Sequence, residues 1–475
     1  MAKITLIGAG SLIFSKTLVM DILAVDILQG SHICLMDLSR SRLDMSEAFV
    51  RRVIGENRLP ATLTATTDRA EALDGADYVI ILIQVGGLEA FGIDYEIPLR
   101  YGVDQCIGDS LGPGGIFRAL RTIPALEEIV GDMHRLCPRA LILNYANPMG
   151  ANCHALGQIT DIPYIGLCHG VQTTLDLISR YVGVPRERIE YLCAGINHMA
   201  WFLELRDRAD GRDLNPVLRE NIEKPEYYLN EKVRCEVMRH FGYFMTESTG
   251  HLSEYIPWFR SSRRALEEYC DQPDFGGASG AYYKYSRMLE DKYHGVDYLA
   301  RESALIRKRS VEYCSYILEA CESGVPFRLN GNIRNEGYIA NLPAGACVEV
   351  PVYVDGLGLH PLHVGSLPAQ CAALNQSNIT VQQLTVEASL AGDPERVMQA
   401  MAMDPLTSAV CTLREIREMT AAMLAAEKAW LPQFQGKSLR TCPSVFIPAD
   451  VRPVDVPLDP ALAIANRFQE LAEGK

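Results

Sequence analysis

Short apolar runs alternate with helical patterns over the first 170 residues of the chain. Continuous runs of β-branched and other apolar residues are typical of parallel strands that are covered on both faces of a sheet. The stretches with this pattern are residues 4–7, 32–36, 62–66, 78–83, 140–144 and 164–167. Because helical patterns separate them, we predict an α/β fold that begins with a Rossmann-like, doubly wound sheet.

The pattern changes near residue 200, where strands and helices no longer alternate regularly. A strand is predicted over 200–206, and a strand-rich passage over 347–354. Helices are predicted over residues 232–241, 282–291, 299–323, 393–403 and 405–427. This mixture predicts a second, mixed α+β domain. The expected domains are residues 1–195 and residues 196–475.

Composition narrows the class of protein further. The 475 residues carry a net charge of −14, which disfavours nucleic acid and anionic membranes as partners because both require basic surface. A signal-peptide pattern is absent and no apolar run is long enough to span a bilayer, so we expect a cytoplasmic protein. The fourteen cysteines include no C-x-x-C pair, which indicates reduced thiols.

The first strand leads into a glycine turn, Gly8-Ala9-Gly10-Ser11, and then into a helix. The second strand ends in Asp37, at the distance from the glycines where a dinucleotide-binding unit places its acidic ribose ligand. We therefore predict an NAD site lined by this turn and Asp37. Ile13 replaces the third glycine of the motif, and Arg40 and Arg42 leave a 2′-phosphate, and hence NADP, as an alternative.

The ends of the later strands carry polar residues where ligands gather in such sheets. Gln84 is expected to line the cofactor, and Asn144 and Asn147 to face the crevice. Cys168 follows the last parallel strand, and His198 lies further along the chain. A thiolate and an imidazole are metal ligands, so this pair suggests a metal site. The competing interpretation is a buried structural thiol and a core histidine.

A glycine-rich stretch, residues 108–115, contains a match to the G-x-S-x-G motif of serine hydrolases. That motif requires a strand directly before the serine and a helix directly after it. Because Pro113 and two glycines follow instead, we expect a loop at a helix start, with Asp109 facing the site. An ordinary loop carboxylate is the alternative for Asp109.

Several motifs together resemble glycoside hydrolase family 4, in the same order along nearly the whole chain. The motifs are Ile7-Gly-Ala-Gly-Ser11, Asp109-Ser-Leu-Gly-Pro-Gly-Gly115, Asn144-Tyr-Ala-Asn-Pro148, Cys168-His-Gly-Val171, Ala194-Gly-Ile-Asn-His198, residues 251–259, Asn330-Gly-Asn-Ile-Arg-Asn335 and Asn341-Leu-Pro343. Within the family, the α-galactosidase branch that acts on melibiose is most similar. Its thiolate motif reads C-H-S-V, whereas Gly170 stands in the serine position here.

The resemblance implies a reaction and a set of roles. Family members oxidise C3 of the sugar with NAD, remove the C2 proton, eliminate the leaving group, add water and reduce C3 again, a recognised exception to the two-carboxylate glycosidase mechanism. Cys168 and His198 would bind Mn²⁺, although other divalent cations are possible. Tyr255 matches the tyrosine that takes the C2 proton. His169 stands where phospho-glucosidases have an aspartate proposed as the acid, so it would protonate the leaving oxygen or bind sugar, and Asp109 would join the catalytic group.

The resemblance also bears on the substrate and on the assembly. Relatives that act on 6-phosphoglycosides carry an arginine shortly before the segment 94–98, where this chain has Phe91 and Gly92. Without that guanidinium fork a phosphate is a poor fit. We therefore expect an unphosphorylated α-glycoside, above all an α-galactoside, bound by Asn144, Asn147, His169 and Gly170. An α-glucoside, α-galacturonide or α-glucuronide is the alternative within the family.

Two hypotheses from other functional classes stay open. One is a 2-hydroxy-acid dehydrogenase, and the other is a catalytically silent NAD-binding sensor. The family resemblance predicts a C-terminal domain of the lactate/malate dehydrogenase type that binds substrate and serves in oligomerisation. We expect a homodimer or homotetramer. The small-molecule glycoside is the expected partner.

Overall fold

Eleven strands pair into one sheet in the computed structural model, which describes residues 1–293, 298–454 and 460–474. The strands are β1 (Lys3–Ile7), β2 (His32–Met36), β3 (Thr62–Thr66), β4 (Tyr78–Ile81), β5 (Leu141–Asn144), β6 (Tyr164–Gly166), β7 (Ile189–Ile196), β8 (Met199–Asp207), β9 (Phe327–Arg334), β10 (Cys347–Asp355) and β11 (Gly358–Pro361).

The described part of the chain also contains nineteen α-helices. They are α1 (Leu12–Leu23), α2 (Arg40–Glu56), α3 (Arg69–Leu73), α4 (Gly87–Arg100), α5 (Gly112–Leu136), α6 (Met149–Ile159), α7 (Gly170–Val182), α8 (Asn215–Asn221), α9 (Pro225–Tyr228), α10 (Lys232–Phe241), α11 (Thr249–Tyr255), α12 (Arg263–Tyr269), α13 (Ala281–Tyr293), α14 (Cys314–Ser323), α15 (Ala369–Ala391), α16 (Pro394–Met403), α17 (Pro405–Val410), α18 (Leu413–Ala426) and α19 (Pro460–Ala472).

Six strands form the parallel part of the sheet, in the order β3-β2-β1-β4-β5-β6. This is the strand order of a doubly wound dinucleotide-binding fold, so the Rossmann-like prediction is confirmed. The chain leaves β1 for β2 on one side and β4 lies on the other, which makes the ends of β1 and β4 the switch point where ligands bind. The carboxyl ends of all six strands share that edge of the sheet.

Antiparallel strands extend the same sheet beyond β6. The order continues β6-β9-β10-β7-β8, and β11 pairs with β10. The predicted mixed α+β character of the later part of the chain is therefore confirmed. The chain divides into two compact units, residues 1–438 and residues 439–475, and the second unit contains α19. The expected boundary at residue 195 stays a prediction.

Two hydrophobic cores hold the parallel strands and the start of α7 in place. In the first, Val79 and Ile142 of the central strands pack with Leu126 of α5. In the second, Val171 of α7 packs with Phe202 of β8. Burying each such side chain contributes about 1.5–3 kcal/mol. The second core fixes α7 relative to the β7–β8 hairpin, which sets the positions of Cys168 and His198.

Three predicted elements differ from the structure. The helix expected over 405–427 is divided into α17 and α18, because Cys411 and Thr412 are extended and Thr412 caps the second helix. The helix expected over 299–323 is a single 3-10 turn at Leu299–Arg301 and the later helix α14. Between them the chain is irregular and is held by tertiary contacts, for example from the Ser310 N–H to the carboxylate of Asp21 at 2.8 Å. The loop expected up to residue 115 already belongs to α5, because a proline is well tolerated in the first turn of a helix.

Across the described ranges, no helix is both long enough and apolar enough to cross a membrane.

Candidate active site

The glycine turn after β1 is held by the backbone of β2. The N–H groups of Gly8 and Ala9 both donate to the carbonyl of Met36 at 2.9 Å. Gly8 has a φ of 92°, and a Cβ there would lie 2.9 Å from the backbone of Leu82. Only glycine fits this turn, which brings the chain from the first strand to the N-terminus of α1.

Asp37 closes the other side of the turn. One carboxylate oxygen accepts the N–H of Gly10 at 2.7 Å, and the other accepts the N–H of Ser39 at 2.8 Å. A Cβ on Gly10 would lie 2.6 Å from Asp37 Oδ2. The residues present therefore fit a dinucleotide, because glycine leaves open backbone at the helix start and the carboxylate stands at the ribose position.

The nearby arginines are already paired with acidic side chains. Arg40 bonds to Asp44 at 2.7 Å and to Glu47 at 2.9 Å, and Arg42 bonds to Glu290 at 3.0 Å. These pairs reduce the charge available for a 2′-phosphate, which favours NAD over NADP.

The predicted residue Gln84 follows β4 at the switch point. Its side-chain amide lies 3.5 Å from the carbonyl of Gly87, and Ser11 lies between the neighbouring strand β1 and α1. Their contacts with a cofactor stay predictions.

Cys168 lies between β6 and α7, at the carboxyl edge of the parallel strands. The N–H of Gly170 donates to its Sγ at 3.4 Å. His198 lies in the tight turn between β7 and β8. Its φ is 63°, which residues other than glycine rarely adopt. Left-handed backbone at a non-glycine residue costs about 1–3 kcal/mol and is concentrated at functional sites.

A third residue, Glu247, joins this pair. Its carboxylate, the Cys168 sulfur and a ring nitrogen of His198 all lie within 4.8 Å of one another. Glu247 Oε1 is 3.8 Å from His198 Nε2. Two donors bound to one cation at about 2.0–2.3 Å stand about 3–4.5 Å apart, so small side-chain shifts would bring the three atoms onto a single divalent cation.

Burial and charge set the protonation of these groups. Burial lowers the pKa of His198 to about 4, so the imidazole is neutral at physiological pH, as a metal ligand must be. Burial first, and then Glu247 and Glu349, raise the pKa of Cys168 well above its ordinary value. Burial opposes ionisation of Glu247, but His198 and the hydrogen bond from His251 hold its pKa well below the ordinary range. A cation entering the cluster would displace the thiol proton.

A chain of hydrogen bonds leads from the cluster to the residues that precede α5. The hydroxyl of Tyr255 lies 3.2 Å from His198 Nδ1. His251 lies 3.2 Å from Glu247 Oε2 through Nδ1 and 3.2 Å from Ser110 Oγ through Nε2. Ser110 in turn donates to Asp109 at 2.5 Å. The predicted residues Tyr255, His198 and Asp109 are thus brought into one site.

Asp109 is buried but charged. Burial opposes ionisation, yet Arg118 and then His251 lower its pKa below the ordinary value. Asn147 donates to its second oxygen at 3.0 Å. A carboxylate that stays ionised serves as a hydrogen-bond acceptor rather than as a general acid.

Asn144 is turned away from the crevice. It is fully buried, its amide donates to the carbonyl of Ala146 at 3.2 Å, and its oxygen accepts the N–H of the same residue at 3.2 Å. These bonds support the turn that carries Asn147. The contact with sugar expected of Asn144 stays a prediction that this geometry does not favour.

His169 and Gly170 lie on either side of the start of α7. The His169 side chain is 56% exposed, and its Nδ1 lies 3.7 Å from Glu312. Gly170 is buried beside Cys168. The His169 side chain is therefore accessible from solvent, while Gly170 faces the cluster.

Sequence reasoning missed Glu247. The neighbouring acidic residue Glu254 accepts N–H groups from Cys106 at 2.5 Å and from Ile107 at 2.6 Å. It thus holds the loop that leads to Asp109. The signal for Glu247 was the polar stretch 246–254, but nothing in its spacing separated one acidic residue from the other.

The chain matches two family models that together cover most of its length. Residues 3–184 match "Family 4 glycosyl hydrolase", and residues 193–407 match the C-terminal domain of the same family. An alpha-galactosidase of Rhizobium meliloti (strain 1021) is 40% identical over 441 residues, which are 91% of this chain and 89% of that protein. An alpha-galactosidase of Bacillus subtilis (strain 168) is 40% identical over 443 residues, which are 92% of this chain and 100% of that protein.

More distant similarities include other glycosidases. An alpha-galacturonidase of Lachnoclostridium phytofermentans is 29% identical over 459 residues, 91% of this chain and 97% of that protein. The 6-phospho-beta-glucosidase of Thermotoga maritima, solved with manganese, NAD⁺ and glucose-6-phosphate, has a TM-score of 0.74 at 21% identity. The alignment covers 90% of this chain and 99% of that one, and it supports the fold.

Proposed function

Because the chain belongs to glycosyl hydrolase family 4, we propose that it hydrolyses an unphosphorylated α-galactoside in a reaction that requires NAD and a divalent cation, preferably Mn²⁺. The observation that carries the proposal is the convergence of Cys168, His198 and Tyr255 at the carboxyl edge of a Rossmann-like sheet. The two alpha-galactosidases at 40% identity support the choice of sugar.

Each bound group supplies one kind of chemistry. NAD supplies reversible oxidation at C3 of the sugar, which acidifies the C2 proton, and the cation supplies Lewis-acid polarisation of the sugar oxygens. Gly8, Ala9, Gly10, Ser11, Asp37 and Gln84 would hold NAD. Cys168 and His198 would hold the cation.

Tyr255 is the base in this proposal and removes the C2 proton. Burial first, then Glu247 and Asp109, raise the pKa of Tyr255 above its ordinary value, so the phenol is neutral until positive charge is placed nearby. His198 presents Nε2 to the cluster, which leaves the ring proton on Nδ1, 3.2 Å from the Tyr255 oxygen. A hydrogen bond from that N–H to the phenol oxygen stabilises the phenolate over the neutral phenol.

His169 is the acid in this proposal. It is exposed at the mouth of the site and is able to protonate the leaving oxygen or to bind the aglycone-side sugar. Asp109 stays ionised, so we assign it and Asn147 to the hydroxyl groups of the sugar being cleaved. Gly170 lies beside Cys168 in the same site and would face the bound sugar.

The proposed substrate carries no phosphate. Phe91 packs edge-on against Tyr282 and Tyr283, at centroid distances of 5.4 and 5.6 Å. A Cβ on Gly92 would lie 2.9 Å from the Tyr283 hydroxyl. The segment where phospho-specific relatives carry an arginine is thus packed with aromatic rings.

One observation favours a second candidate, an α-galacturonidase. Arg118 is 6% exposed, and its Nε and Nη1 make no hydrogen bond within the described part of the chain. Its Nη1 lies 3.6 Å from Asp109. A buried guanidinium with free N–H groups beside the sugar site is suited to the carboxylate of a uronic acid.

A glycoside panel tests both candidates. Purified protein is assayed with NAD, Mn²⁺ and thiol on p-nitrophenyl α- and β-glycosides of galactose, glucose, galacturonate and glucuronate. We expect turnover of the α-galactoside, loss of turnover when NAD or Mn²⁺ is omitted, and a primary isotope effect with substrate deuterated at C2.

The panel also separates the remaining alternatives. A preference for the α-galacturonide that Arg118→Gln abolishes would establish the second candidate. Net NADH formation on a 2-hydroxy acid, without glycoside cleavage, would replace the hydrolase by a dehydrogenase. NAD binding without turnover of any glycoside would indicate a sensor.

We also propose that the enzyme acts in the cytoplasm as a homodimer or homotetramer. All fourteen cysteines are free thiols, as expected in a reducing compartment. Light scattering after size-exclusion chromatography measures the oligomeric state, and a monomer at assay concentration would contradict that part.

A further inference from the structure

Glu247 occupies an unusual backbone conformation beside the cluster. Its φ is 76°, so it is a second non-glycine residue of the cluster in the left-handed region, together with His198. The preceding residue anchors it, because the Thr246 N–H donates to the Ala200 carbonyl at 2.9 Å and Thr246 Oγ1 accepts the Ala200 N–H at 3.1 Å. These contacts hold Glu247 next to the strand that follows His198 and stabilise its strained backbone conformation.

The two carboxylate oxygens of Glu247 have different surroundings. Oε2 lies 3.2 Å from His251 Nδ1, which orients the carboxylate. Oε1 is the oxygen nearest the cluster, 3.8 Å from His198 Nε2. Metal-binding carboxylates are commonly held in this way, with one oxygen on the cation and the other fixed by a hydrogen bond.

The space for Oε1 depends on Gly170. A Cβ at this position would lie 2.2 Å from Glu247 Oε1 and 3.5 Å from Cys168 Sγ. Gly170 is not among the glycines with positive φ, so its backbone does not itself require glycine. The neighbour that a side chain would displace is the carboxylate of Glu247.

We propose that Glu247 is the third protein ligand of the divalent cation, with Cys168 and His198, and that in this chain Gly170 leaves the space in which Glu247 Oε1 takes its ligand position. The inference rests on the metal dependence of the proposed function. Three protein ligands from three segments leave the remaining positions for sugar oxygens, the arrangement of a catalytic rather than a structural metal site.

A double-mutant cycle on metal affinity tests the proposal without reference to activity. Mn²⁺ binding to the full-length, metal-stripped protein is measured by calorimetry for wild type, Glu247→Ala, Gly170→Ala and the double variant. We expect Glu247→Ala to weaken Mn²⁺ binding by about 100-fold and Gly170→Ala by about 10-fold. Replacing a residue that only hydrogen-bonds to a metal ligand already lowers metal affinity by about 10–100-fold. In the Glu247→Ala background, Gly170→Ala should have no further effect.

Two controls keep a loss of structure apart from a loss of a ligand. Gly131→Ala makes the same replacement inside α5, where an added Cβ meets nothing within 4 Å, and should leave Mn²⁺ binding unchanged. With Co²⁺ in place of Mn²⁺, the sulfur-to-cobalt absorption band should persist in Glu247→Ala, because Cys168 is still bound. NAD affinity of every variant should match wild type.

The outcomes separate this inference from the proposed function. Wild-type affinity in Glu247→Ala, or additive effects of the two substitutions, would overturn the ligand assignment and leave the metal-dependent function standing. Absence of Mn²⁺ and Co²⁺ binding in the wild type would remove the proposed function and this inference with it.

Discussion

The glycine turn at residues 8–11 and the cluster of Cys168, His198 and Glu247 lie at the same edge of the sheet, yet they are built differently. The turn is one contiguous segment, held by backbone hydrogen bonds to Met36 and by one carboxylate. The cluster combines side chains from three segments, and two of its members have left-handed backbone.

This difference has a consequence for mutation. The turn depends on the absence of side chains, so adding atoms damages it. The cluster depends on the presence of particular donor atoms, so removing atoms damages it. If the two regions are independent, each kind of change should affect one ligand and leave affinity for the other unaltered.

The largest effect is expected from Cys168→Ser. The hydroxyl is a much poorer ligand than a thiolate, so we expect Mn²⁺ affinity to fall by about 100-fold or more and kcat/KM for the α-galactoside by about 1,000-fold, with the polarisation of the sugar lost. Calorimetry with Mn²⁺ and with NAD measures the two affinities separately, and NAD affinity should not change.

The exposed thiol Cys442 offers a matched control. Cys442→Ser should behave as wild type in all three measurements. Loss of NAD affinity in Cys168→Ser would show that the two regions are coupled, which contradicts the comparison.

The next effect in size is expected from Tyr255→Phe. Removal of a general base lowers kcat by about 100- to 1,000-fold, within the usual range for proton transfer. The ring still packs beside His198, so Mn²⁺ and NAD should bind as before. Steady-state kinetics with C2-deuterated substrate should show a primary isotope effect on the remaining activity.

Tyr338→Phe serves as the control, since its ring packs on His363, with centroids 5.0 Å apart. Unchanged kcat in Tyr255→Phe would mean that another group removes the C2 proton. A fall in Mn²⁺ affinity equal to the fall in kcat would mean that Tyr255 acts only by supporting His198.

The same contrast explains what the sequence could predict. The strand order and the glycine turn follow from local patterns, because apolar runs, turn glycines and Asp37 lie at fixed spacings along the chain. Cys168, His198 and Tyr255 were predicted from family motifs, and the structure brings them together. Their chemical roles stay predictions.

The features that the sequence did not predict depend on contacts between distant segments. Glu247 reaches the cluster because Thr246 bonds to β8 and the backbone bends into the left-handed region, and neither fact leaves a local pattern. Asn144 and Glu254 lie close to site residues in sequence, but their side chains bond to backbone groups. Asn144 donates to the carbonyl of Ala146, and Glu254 accepts the N–H of Ile107. The segment after Arg301 has a helical pattern, yet contacts such as that of Asp21 with Ser310 hold it in an irregular path.

A smaller effect than those at the cluster is expected from Gly10→Ala. The added Cβ would lie 2.6 Å from Asp37 Oδ2, so either the carboxylate or the turn has to shift. We expect NAD affinity to fall by about 10-fold, or about 1.4 kcal/mol, while Mn²⁺ affinity stays at the wild-type value. Gly55→Ala in α2, where a Cβ meets nothing within 4 Å, should leave NAD affinity unchanged. Equal NAD affinity in both variants would contradict the close approach of cofactor and backbone at Gly10.

The smallest effect is expected in the choice between NAD and NADP. Asp37→Asn keeps the shape of the side chain but removes the charge that repels a 2′-phosphate and that strengthens the bond to a ribose hydroxyl. A hydrogen bond to a charged group contributes about 1.5–3 kcal/mol, and part of it remains with the amide. We therefore expect the NAD-to-NADP affinity ratio to fall by about 10-fold, measured by fluorescence titration of both cofactors.

Arg42 provides the opposing test of the same choice. Its guanidinium bonds to Glu290 at 3.0 Å, so we expect Arg42→Ala to leave the cofactor ratio at the wild-type value, because the Glu290 carboxylate offsets the charge that a 2′-phosphate would meet. If Arg42→Ala instead raised the NAD-to-NADP ratio as much as Asp37→Asn lowered it, the arginine would be reaching the 2′-phosphate in solution. The specificity of the turn would then depend on a side chain from α2 as well as on its own segment, and the contrast with the cluster would no longer hold for cofactor choice.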